Sequence, residues 1–233
     1  HVVAQVESRD QTRLDLVRFD PATGDGTLLV SETSDVWVNL HDDLRFLDDG
    51  SFVWSTERSG FRHLEHRGPD GDLVRPLTSG DHVVTSVRAV TPEAVWFTST
   101  EGSPLERHLH RVALDGSPSE QLTTEPGVHR SVVHGRTGTW VDTWSDPRTP
   151  PRTVLHRADG STDPLHDAAD DPLVAELGLQ PPEERVVIAD DGTELHAAVY
   201  RPAGDGPHPT VVWVYGGPHA QLVTRSWSLS VAM

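Results

Sequence analysis

The residues best suited to chemistry stand near the end of the sequence, where an apolar run stops at a tyrosine followed by two glycines. The run from Thr210 to Tyr215 reads Thr-Val-Val-Trp-Val-Tyr, and Gly216 and Gly217 follow it. A phenol at this place can donate a hydrogen bond to a substrate, because glycine lets backbone and ligand approach closely. The tyrosine can also pack against a sheet as a strand-terminal aromatic, and the spacing alone favours packing. Both interpretations of Tyr215 stay open at this point.

The sequence lacks the residue patterns that a serine nucleophile or a metal site would need. No Gly-x-Ser-x-Gly turn occurs, and the serines between Ser226 and Ser230 lack the flanking glycines of such a turn. Among the 14 histidines, the pairs His63/His66 and His108/His110 lie close in sequence, but no carboxylate joins either pair at a familiar ligand spacing. Cysteine is absent, which excludes thiolate zinc sites and disulfides. We therefore predict no metal and no other cofactor.

The charge of the chain argues against several classes of partner. The 19 basic and 36 acidic residues give a formal net charge of −17, and every basic residue is arginine. No cluster of positive charge is present, so we expect no nucleic-acid partner.

No apolar run approaches the roughly 20 residues of a membrane-spanning helix, so we expect no membrane partner. We expect a cytoplasmic location, although the absence of cysteine does not identify the redox compartment.

Turn and strand signals recur at a nearly constant spacing in the first two thirds of the sequence. The spacing between successive Asp-Gly pairs is 45 and then 44 residues, and two shorter motifs repeat at 45 residues. The pairs are Asp70-Gly71, Asp115-Gly116 and Asp159-Gly160, and the motifs are Arg62-His63-Leu64 with Arg107-His108-Leu109 and Leu77-Thr78 with Leu122-Thr123. Each repeat holds about four short strands, the content of a β-propeller blade. We interpret the repeated residues as structural, with Asp-Gly in hairpin turns and Trp54, Trp96 and Trp144 packed between sheets.

The predicted architecture is an all-β propeller part followed by the start of an α/β domain. About four blades fill residues 1–170, and we expect them to be the C-terminal part of a larger ring instead of a closed four-bladed propeller. Residues 171–185 form a linker, with helical character from Leu173 to Leu179. Residues 186–233 begin with a hairpin, Arg185 to Ala189 and Glu194 to Arg201, and continue into the run ending at Tyr215. We expect that run to be a strand buried on both faces.

Two further groups of residues receive a structural interpretation. The segment from Trp37 to Asp43 joins two blades and can line a chamber, but we favour a turn with Asp42 and Asp43 in solvent. Glu183 and Glu184 are interpreted as a solvated linker pair rather than a catalytic acid pair.

Two stretches of the sequence resemble the dipeptidyl peptidase IV branch of the prolyl oligopeptidase family of serine peptidases. The first is Phe52-Val53-Trp54-Ser55-Thr56-Glu57-Arg58-Ser59-Gly60-Phe61-Arg62-His63-Leu64, which is similar to the blade signature. The second runs from Asp191-Gly192 through Tyr200-Arg201-Pro202 to Val214-Tyr215-Gly216-Gly217-Pro218-His219-Ala220-Gln221 and Trp227, and it resembles the opening of the peptidase domain.

The resemblance implies an eight-bladed propeller over an α/β-hydrolase domain, with residues 186–233 as the first part of the hydrolase. It implies a dipeptidyl aminopeptidase that releases N-terminal dipeptides after Pro or Ala through a serine nucleophile, an acid and a histidine. All three catalytic residues would lie downstream, so the chain alone should be inactive. Tyr215 corresponds to the tyrosine that resembles an oxyanion-hole donor in this family.

The resemblance also implies the partners. These are a peptide with a free N-terminus, the remainder of the protein's own polypeptide and, as an open option, a second copy in a homodimer. Two rival functions are a non-enzymatic propeller that binds peptides or proteins and an oligopeptidase of the same family that cuts inside short peptides. The Tyr215-Gly216-Gly217 strand end argues against the first rival, and amine recognition would separate the second.

Overall fold

Short strands joined by tight turns make up most of the structure, in keeping with the alternating apolar residues and the Asp-Gly pairs. The computed structural model describes residues 2–202, 204–217 and 220–228. The chain divides into two compact units. The first unit comprises the residues up to Glu101 together with Leu109–Leu122, and the second comprises Gly102–His108 and the residues from Thr123 onward. The predicted domain bounds at residues 170 and 185 stay predictions.

Three antiparallel meanders make up most of the first unit, and in each of them the strands pair in chain order. The first sheet contains β1 (Val2–Glu7), β2 (Arg13–Phe19) and β3 (Gly26–Thr33). The second contains β4 (Arg45–Phe46), β5 (Phe52–Thr56), β6 (His63–Arg67) and β7 (Leu73–Pro76). The third contains β8 (Val84–Val90), β9 (Ala94–Ser99), β10 (His108–Ala113) and β11 (Glu120–Gln121).

Strand β5 lies at the centre of the first unit because both of its faces are buried. Phe52 and Trp54 pack with Leu16 of β2, while Val53 between them packs with Phe97 of β9. Side chains alternate between the two faces of a strand, so one strand serves two apolar clusters. Burial of side chains of this size stabilises the fold by about 1.5–3 kcal/mol each. The prediction that Trp54 and Trp96 pack between sheets agrees with their burial.

The Asp-Gly pairs form the predicted hairpin turns. Gly71, Gly116 and Gly160 have φ angles of +92°, +81° and +83°, in the left-handed region that favours glycine. The carboxylates of Asp115 and Asp159 accept the backbone N–H two residues later, at 2.9 Å in both cases. Repeated sequence therefore gives repeated turn geometry.

The repeated histidine and threonine also have a structural role in each repeat. His63 Nδ1 lies 3.0 Å from Thr78 Oγ1, and His108 Nδ1 lies 3.1 Å from Thr123 Oγ1. The Thr78 hydroxyl also accepts the Leu64 N–H at 2.9 Å. The same histidine–threonine contact therefore occurs at the same place in two successive repeats. This contact explains why the Arg-His-Leu and Leu-Thr motifs recur with one offset.

The expectation that Asp43 is solvated is wrong. Asp43 is buried, its Oδ1 accepts the Val87 N–H at 2.7 Å, and its Oδ2 accepts the Ser55 hydroxyl at 2.9 Å. A buried carboxylate needs such donors, since an unpaired charge would be costly to desolvate. Asp42, in contrast, is exposed as expected.

The second unit contains a fourth meander, a short helical segment and a hairpin. The meander contains β12 (Val128–His134), β13 (Thr139–Ser145), β14 (Arg152–His156) and β15 (Thr162–Asp167). A 3₁₀ turn (Ala168–Asp170), helix α1 (Pro172–Leu177) and the hairpin strands β16 (Glu183–Ile188) and β17 (Glu194–Val199) follow. The four meanders confirm the predicted propeller part. The eight-bladed ring stays a prediction.

Helix α1 confirms the helical character predicted for this region and ends two residues earlier than predicted. Its N-cap Asp171 accepts the Leu173 N–H at 3.0 Å, and Pro172 occupies the first turn, where no N–H partner is needed. Gly178 ends the helix with a φ of +57°.

The strand predicted for Thr210–Tyr215 is not formed. These residues have no regular secondary structure, and their side chains are largely exposed, with Val211 at 92% and Val212 at 79%. No described strand pairs with them. A continuous apolar run becomes a central strand only when neighbours supply hydrogen bonds on both edges and cover on both faces. The hydrolase sheet is therefore not seen in the described residues, although the preceding hairpin is.

Candidate active-site segment

Tyr215 lies in an extended, exposed segment instead of a packed core. Its side chain is exposed by 56%, and its phenol makes no hydrogen bond to any described residue. The ring and hydroxyl lie over the backbone of Gly217, two residues later. Among the described residues the ring packs against no sheet, and its hydroxyl is able to donate to another group. The role of Tyr215 stays a prediction.

Gly217 is required by the position of the tyrosine ring. A Cβ atom added to Gly217 would collide with the Tyr215 hydroxyl and lie 2.5 Å from Cε1 of the ring. A Cβ atom added to Gly216 would meet nothing within 4 Å. The glycine pair thus has unequal roles, and only the second glycine makes room for the phenol.

Residues on both sides of this segment are held by one arginine. Arg225 Nε lies 2.9 Å from Glu184 Oε1, and Arg225 Nη2 lies 2.8 Å from Glu184 Oε2. Arg225 Nη1 lies 2.8 Å from Glu106 Oε1, and the Arg225 N–H donates to the Leu105 carbonyl at 2.9 Å. Hydrogen bonding to Arg225 lowers the pKa of Glu184. Glu184 is therefore an ion-pair partner, which refines its interpretation as a solvated linker residue.

The segment from Trp37 to His41 lines a cleft of about 360 Å³ in the first unit. Arg58 and Arg62 line the same cleft. The Trp37 indole donates to Asn39 Oδ1 at 3.2 Å, and the Asn39 amide donates to Glu57 Oε2 at 2.8 Å. These contacts pair the side chains of Trp37 and Asn39, and the structural interpretation favoured for the segment stays a prediction.

His41 is a partly buried group of this cleft whose pKa is lowered from its ordinary value. Burial lowers its pKa, opposed by the carboxylate of Asp43 and reinforced by the cation of Arg62. The ring lies edge-on to Trp54, with the ring centres 4.5 Å apart. The neutral imidazole is therefore the form that the fold favours.

A buried Ser, Asp and His set in the second unit has residue types of a catalytic triad but the wrong connectivity. His129 Nδ1 lies 2.6 Å from Asp142 Oδ2, and the Ser131 hydroxyl donates to Asp142 Oδ1 at 2.8 Å. A nucleophilic serine must bond to the histidine that takes its proton, whereas Ser131 bonds to the acid. His129 Nε2 is occupied by the Glu125 carbonyl at 2.7 Å. The set is structural.

His108 and His110 pack within the third repeat. His110 stacks on Phe97 with the ring centres 5.4 Å apart, and His108 Nε2 lies 3.1 Å from Glu106 Oε2. In the described part of the chain, no three His, Cys, Asp or Glu residues come together as metal ligands would. Over the same residues, no helix has the length and apolar character needed to cross a membrane.

The first 151 residues match a family model described as the dipeptidyl peptidase IV (DPP IV) N-terminal region. The chain belongs to this family. The match includes strands β1 to β13, the first two strands of the fourth meander among them, and ends before the segment that carries Tyr215. Membership in the DPP IV N-terminal region family confirms the resemblance noted from the first sequence stretch, which lies within the matched residues.

Relatives extend the similarity over nearly the whole chain. A probable dipeptidyl-aminopeptidase B of Emericella nidulans is 28% identical over 253 residues, covering 98% of this chain and 28% of that protein. Dipeptidyl peptidase 8 of Mus musculus is 25% identical over 266 residues, covering 94% of this chain and 30% of that protein. The chain thus spans less than a third of the length of either relative.

A solved structure shows the same fold. The crystal structure of Porphyromonas gingivalis dipeptidyl peptidase 4 superimposes with a TM-score of 0.84 at 22% identity, covering 97% of this chain and 33% of that one. The chain is therefore a dipeptidyl peptidase-family fragment with the propeller fold of that family. No local pattern predicts the contacts of Arg225, because its two carboxylate partners are far away in sequence. The role of Tyr215 stays a prediction.

Proposed function

We propose that the protein containing this chain is a serine dipeptidyl peptidase and that Tyr215 stabilises its oxyanion. Family membership and the relatives named as dipeptidyl peptidases support the reaction class. The observation that carries the role of Tyr215 is its exposed phenol above Gly217, without a hydrogen-bond partner among the described residues. Such a hydroxyl is available to a reacting carbonyl.

The chemistry requires a donor of this kind. A serine from the remainder of the polypeptide attacks the carbonyl carbon of the second residue, and a histidine takes the serine proton. Negative charge then develops on the carbonyl oxygen, where the Tyr215 hydroxyl donates a hydrogen bond. The amine leaves with the proton, and water releases the dipeptide from the acyl-enzyme. A preorganised donor of this kind stabilises the transition state by ~3 kcal/mol.

The test uses the full-length protein with chromogenic Pro- and Ala-linked dipeptides. We expect Tyr215→Phe to lower kcat by about 100-fold or more with little change in KM, because the lost hydrogen bond forms only in the transition state. The matched control is Tyr200→Phe, which removes the other phenol of the chain. An unchanged kcat for Tyr215→Phe would exclude the oxyanion role.

The same assay separates the rival functions. A dipeptidyl peptidase cleaves substrates with a free N-terminus and rejects their N-acetylated forms, because it must recognise the amine. An oligopeptidase of this family would cleave the blocked peptides, and a binding propeller would cleave neither. A homodimer and a cytoplasmic location are part of the same proposal, and molar mass by light scattering and cell fractionation test them.

A further inference from the structure

Arg225 joins three segments of the second unit that are far apart in sequence. Its side chain binds Glu184 on β16 and Glu106 in the loop between β9 and β10, and its backbone N–H binds Leu105 in that loop. Glu184 is 41 residues from Arg225, and Glu106 is 119 residues away. One guanidinium therefore ties the hairpin, the loop and residues 220–228 together.

The contacts of Arg225 are strong enough to fix geometry. The Glu184 carboxylate is bound at both oxygens, which gives the bidentate arrangement in which arginine is most directional. Glu106 is mostly buried, with 14% of its side chain exposed, and its second oxygen binds His108. Burial opposes ionisation of Glu106, but the hydrogen bonds from Arg225 and His108 outweigh it and lower its pKa. Both carboxylates thus stay charged and paired near neutral pH.

Tyr215 lies between the two residues that this ion pair brings together. Glu184 precedes the tyrosine and Arg225 follows it, so their pairing closes the base of the loop that carries the phenol. Gln221 adds a second attachment, since its side-chain amide donates to the Pro104 carbonyl at 2.9 Å. Within this loop, residues 204–217 have no helix or strand that could fix Tyr215 by itself.

We propose that Arg225 is a positioning residue that holds the Tyr215 loop at its base, with Glu184 and Glu106 as its partners. This inference rests on the proposed oxyanion role of Tyr215. Arg225 acts without contacting the substrate. The effect of Arg225 on turnover passes entirely through the phenol, and a small displacement of a catalytic group can lower the rate by about 100-fold.

A double-mutant cycle in the full-length enzyme tests this dependence. We expect Arg225→Gln to lower kcat by about 10- to 100-fold in the wild-type background and by less than about twofold when Tyr215 is already phenylalanine. A purely structural residue would lower kcat equally in both backgrounds. Arg225→Lys keeps the charge without the bidentate fork and should retain intermediate activity. Arg157→Gln removes an exposed arginine that pairs with Asp163 and is the matched control, with unchanged kcat expected.

The outcomes distinguish the inference from the proposed function. If Tyr215→Phe leaves kcat unchanged, the oxyanion role fails and the positioning role fails with it. If Tyr215→Phe lowers kcat but Arg225→Gln has no effect, or acts equally in both backgrounds, only the positioning role is overturned. Circular dichroism of each variant at the assay temperature excludes unfolding as the cause.

A measurement on the 233-residue chain tests the closure without activity. Because the chain has no cysteine, Leu195→Cys and Leu222→Cys allow specific spin labelling on the hairpin and on residues 220–228. Both leucines are exposed by about half. We expect a narrow distance distribution between the labels that broadens with Arg225→Gln and stays narrow with Arg157→Gln. An unchanged distribution for Arg225→Gln would overturn the closure.

Discussion

The repeated threonines show how a single hydroxyl can stabilise a blade. Thr78 Oγ1 meets both His63 Nδ1 and the Leu64 N–H. We predict that Thr78→Val destabilises the chain by about 1–2 kcal/mol, because the partners lose their hydrogen bond while the side-chain shape is kept. Urea unfolding followed by tryptophan fluorescence measures the change. Thr27→Val, at an exposed position of β3, is the control, and an equal loss in both variants would contradict the prediction.

The buried histidines predict a pH dependence of stability with a defined sign. Burial lowers the pKa of His41, His66 and His82 from 6.5 in the first unit. The unfolded chain then binds more protons than the folded chain as pH falls below about 6.5, so stability is complete above that pH and is lost below it. Carboxylates with lowered pKa add a separate loss near pH 4 and below.

The variant His41→Leu isolates one part of this dependence. We expect the drop in unfolding free energy between pH 7.5 and pH 5.5 to be smaller in His41→Leu than in the parent chain, since the burial of one titrating ring is removed. His134→Leu, which changes an exposed histidine, should keep the full drop. A drop of the same size in His41→Leu and the parent chain would show that His41 does not contribute.

Local sequence patterns were sufficient to predict the structural role of the repeated residues. They were not sufficient to predict the contacts of residues whose partners lie far away in sequence. Asp-Gly pairs and the His and Thr motifs recur at a fixed offset, so their structural role could be predicted from the sequence alone. Asp43 was expected in solvent because its partner, the Val87 N–H, lies 44 residues away. Arg225 was missed for the same reason. Long-range polar pairs depend on how sheets pack, which no local spacing encodes.

At the scale of elements, identical turns differ in what surrounds them. Gly71 and Gly160 have similar φ angles, yet a Cβ atom on Gly71 would collide with the Leu29 carbonyl and lie 2.8 Å from the Leu29 Cα, whereas one on Gly160 would meet nothing within 4 Å. We predict that Gly160→Ala costs about 1–2 kcal/mol from the backbone angle alone. Gly71→Ala should cost more than about 3 kcal/mol, because backbone must also move.

Chemical denaturation of both variants measures this difference. The two substitutions are chemically identical and occupy the same place in the repeat, so each is the control for the other. Equal shifts in the unfolding midpoint would mean that the neighbouring sheet adapts to the added methyl group. In that case the close approach of Gly71 to Leu29 would not limit the fold.

Elements whose hydrogen bonds are made by residues nearby in sequence could be predicted, and elements that need partners far away in sequence could not. Helix α1 has its own N-cap and C-cap, and β16 and β17 pair with each other through a tight turn. The run from Thr210 to Tyr215 has the composition of a buried strand, but its structure depends on neighbours that the described residues do not provide. The composition of this run therefore predicts that it can form a buried strand, and packing against neighbouring strands and helices decides whether the strand forms.

At the scale of the whole molecule, an uncovered apolar segment competes with a large negative charge. Val212, Trp213 and Val214 are exposed by 79%, 68% and 77%, in a chain of net charge −17. Contiguous exposed apolar surface favours association, while like charge opposes it. We predict that the 233-residue chain associates with itself through this segment and that added salt strengthens the association by screening the repulsion.

Sedimentation velocity over a range of concentrations tests the prediction. The average mass of the parent chain should rise with protein concentration, and it should rise more steeply in 0.5 M than in 0.05 M sodium chloride. The electrostatic screening lengths at these two salt concentrations differ by about threefold. The variant Val212→Glu should remain monomeric under both conditions. Val132→Glu introduces the same charge at a valine of β12 that is exposed by 75%, and it should associate as the parent does. If Val132→Glu suppressed association as strongly as the substitution in the apolar segment, total charge and not that segment would control association. If the parent chain were monomeric, the segment would be covered in solution.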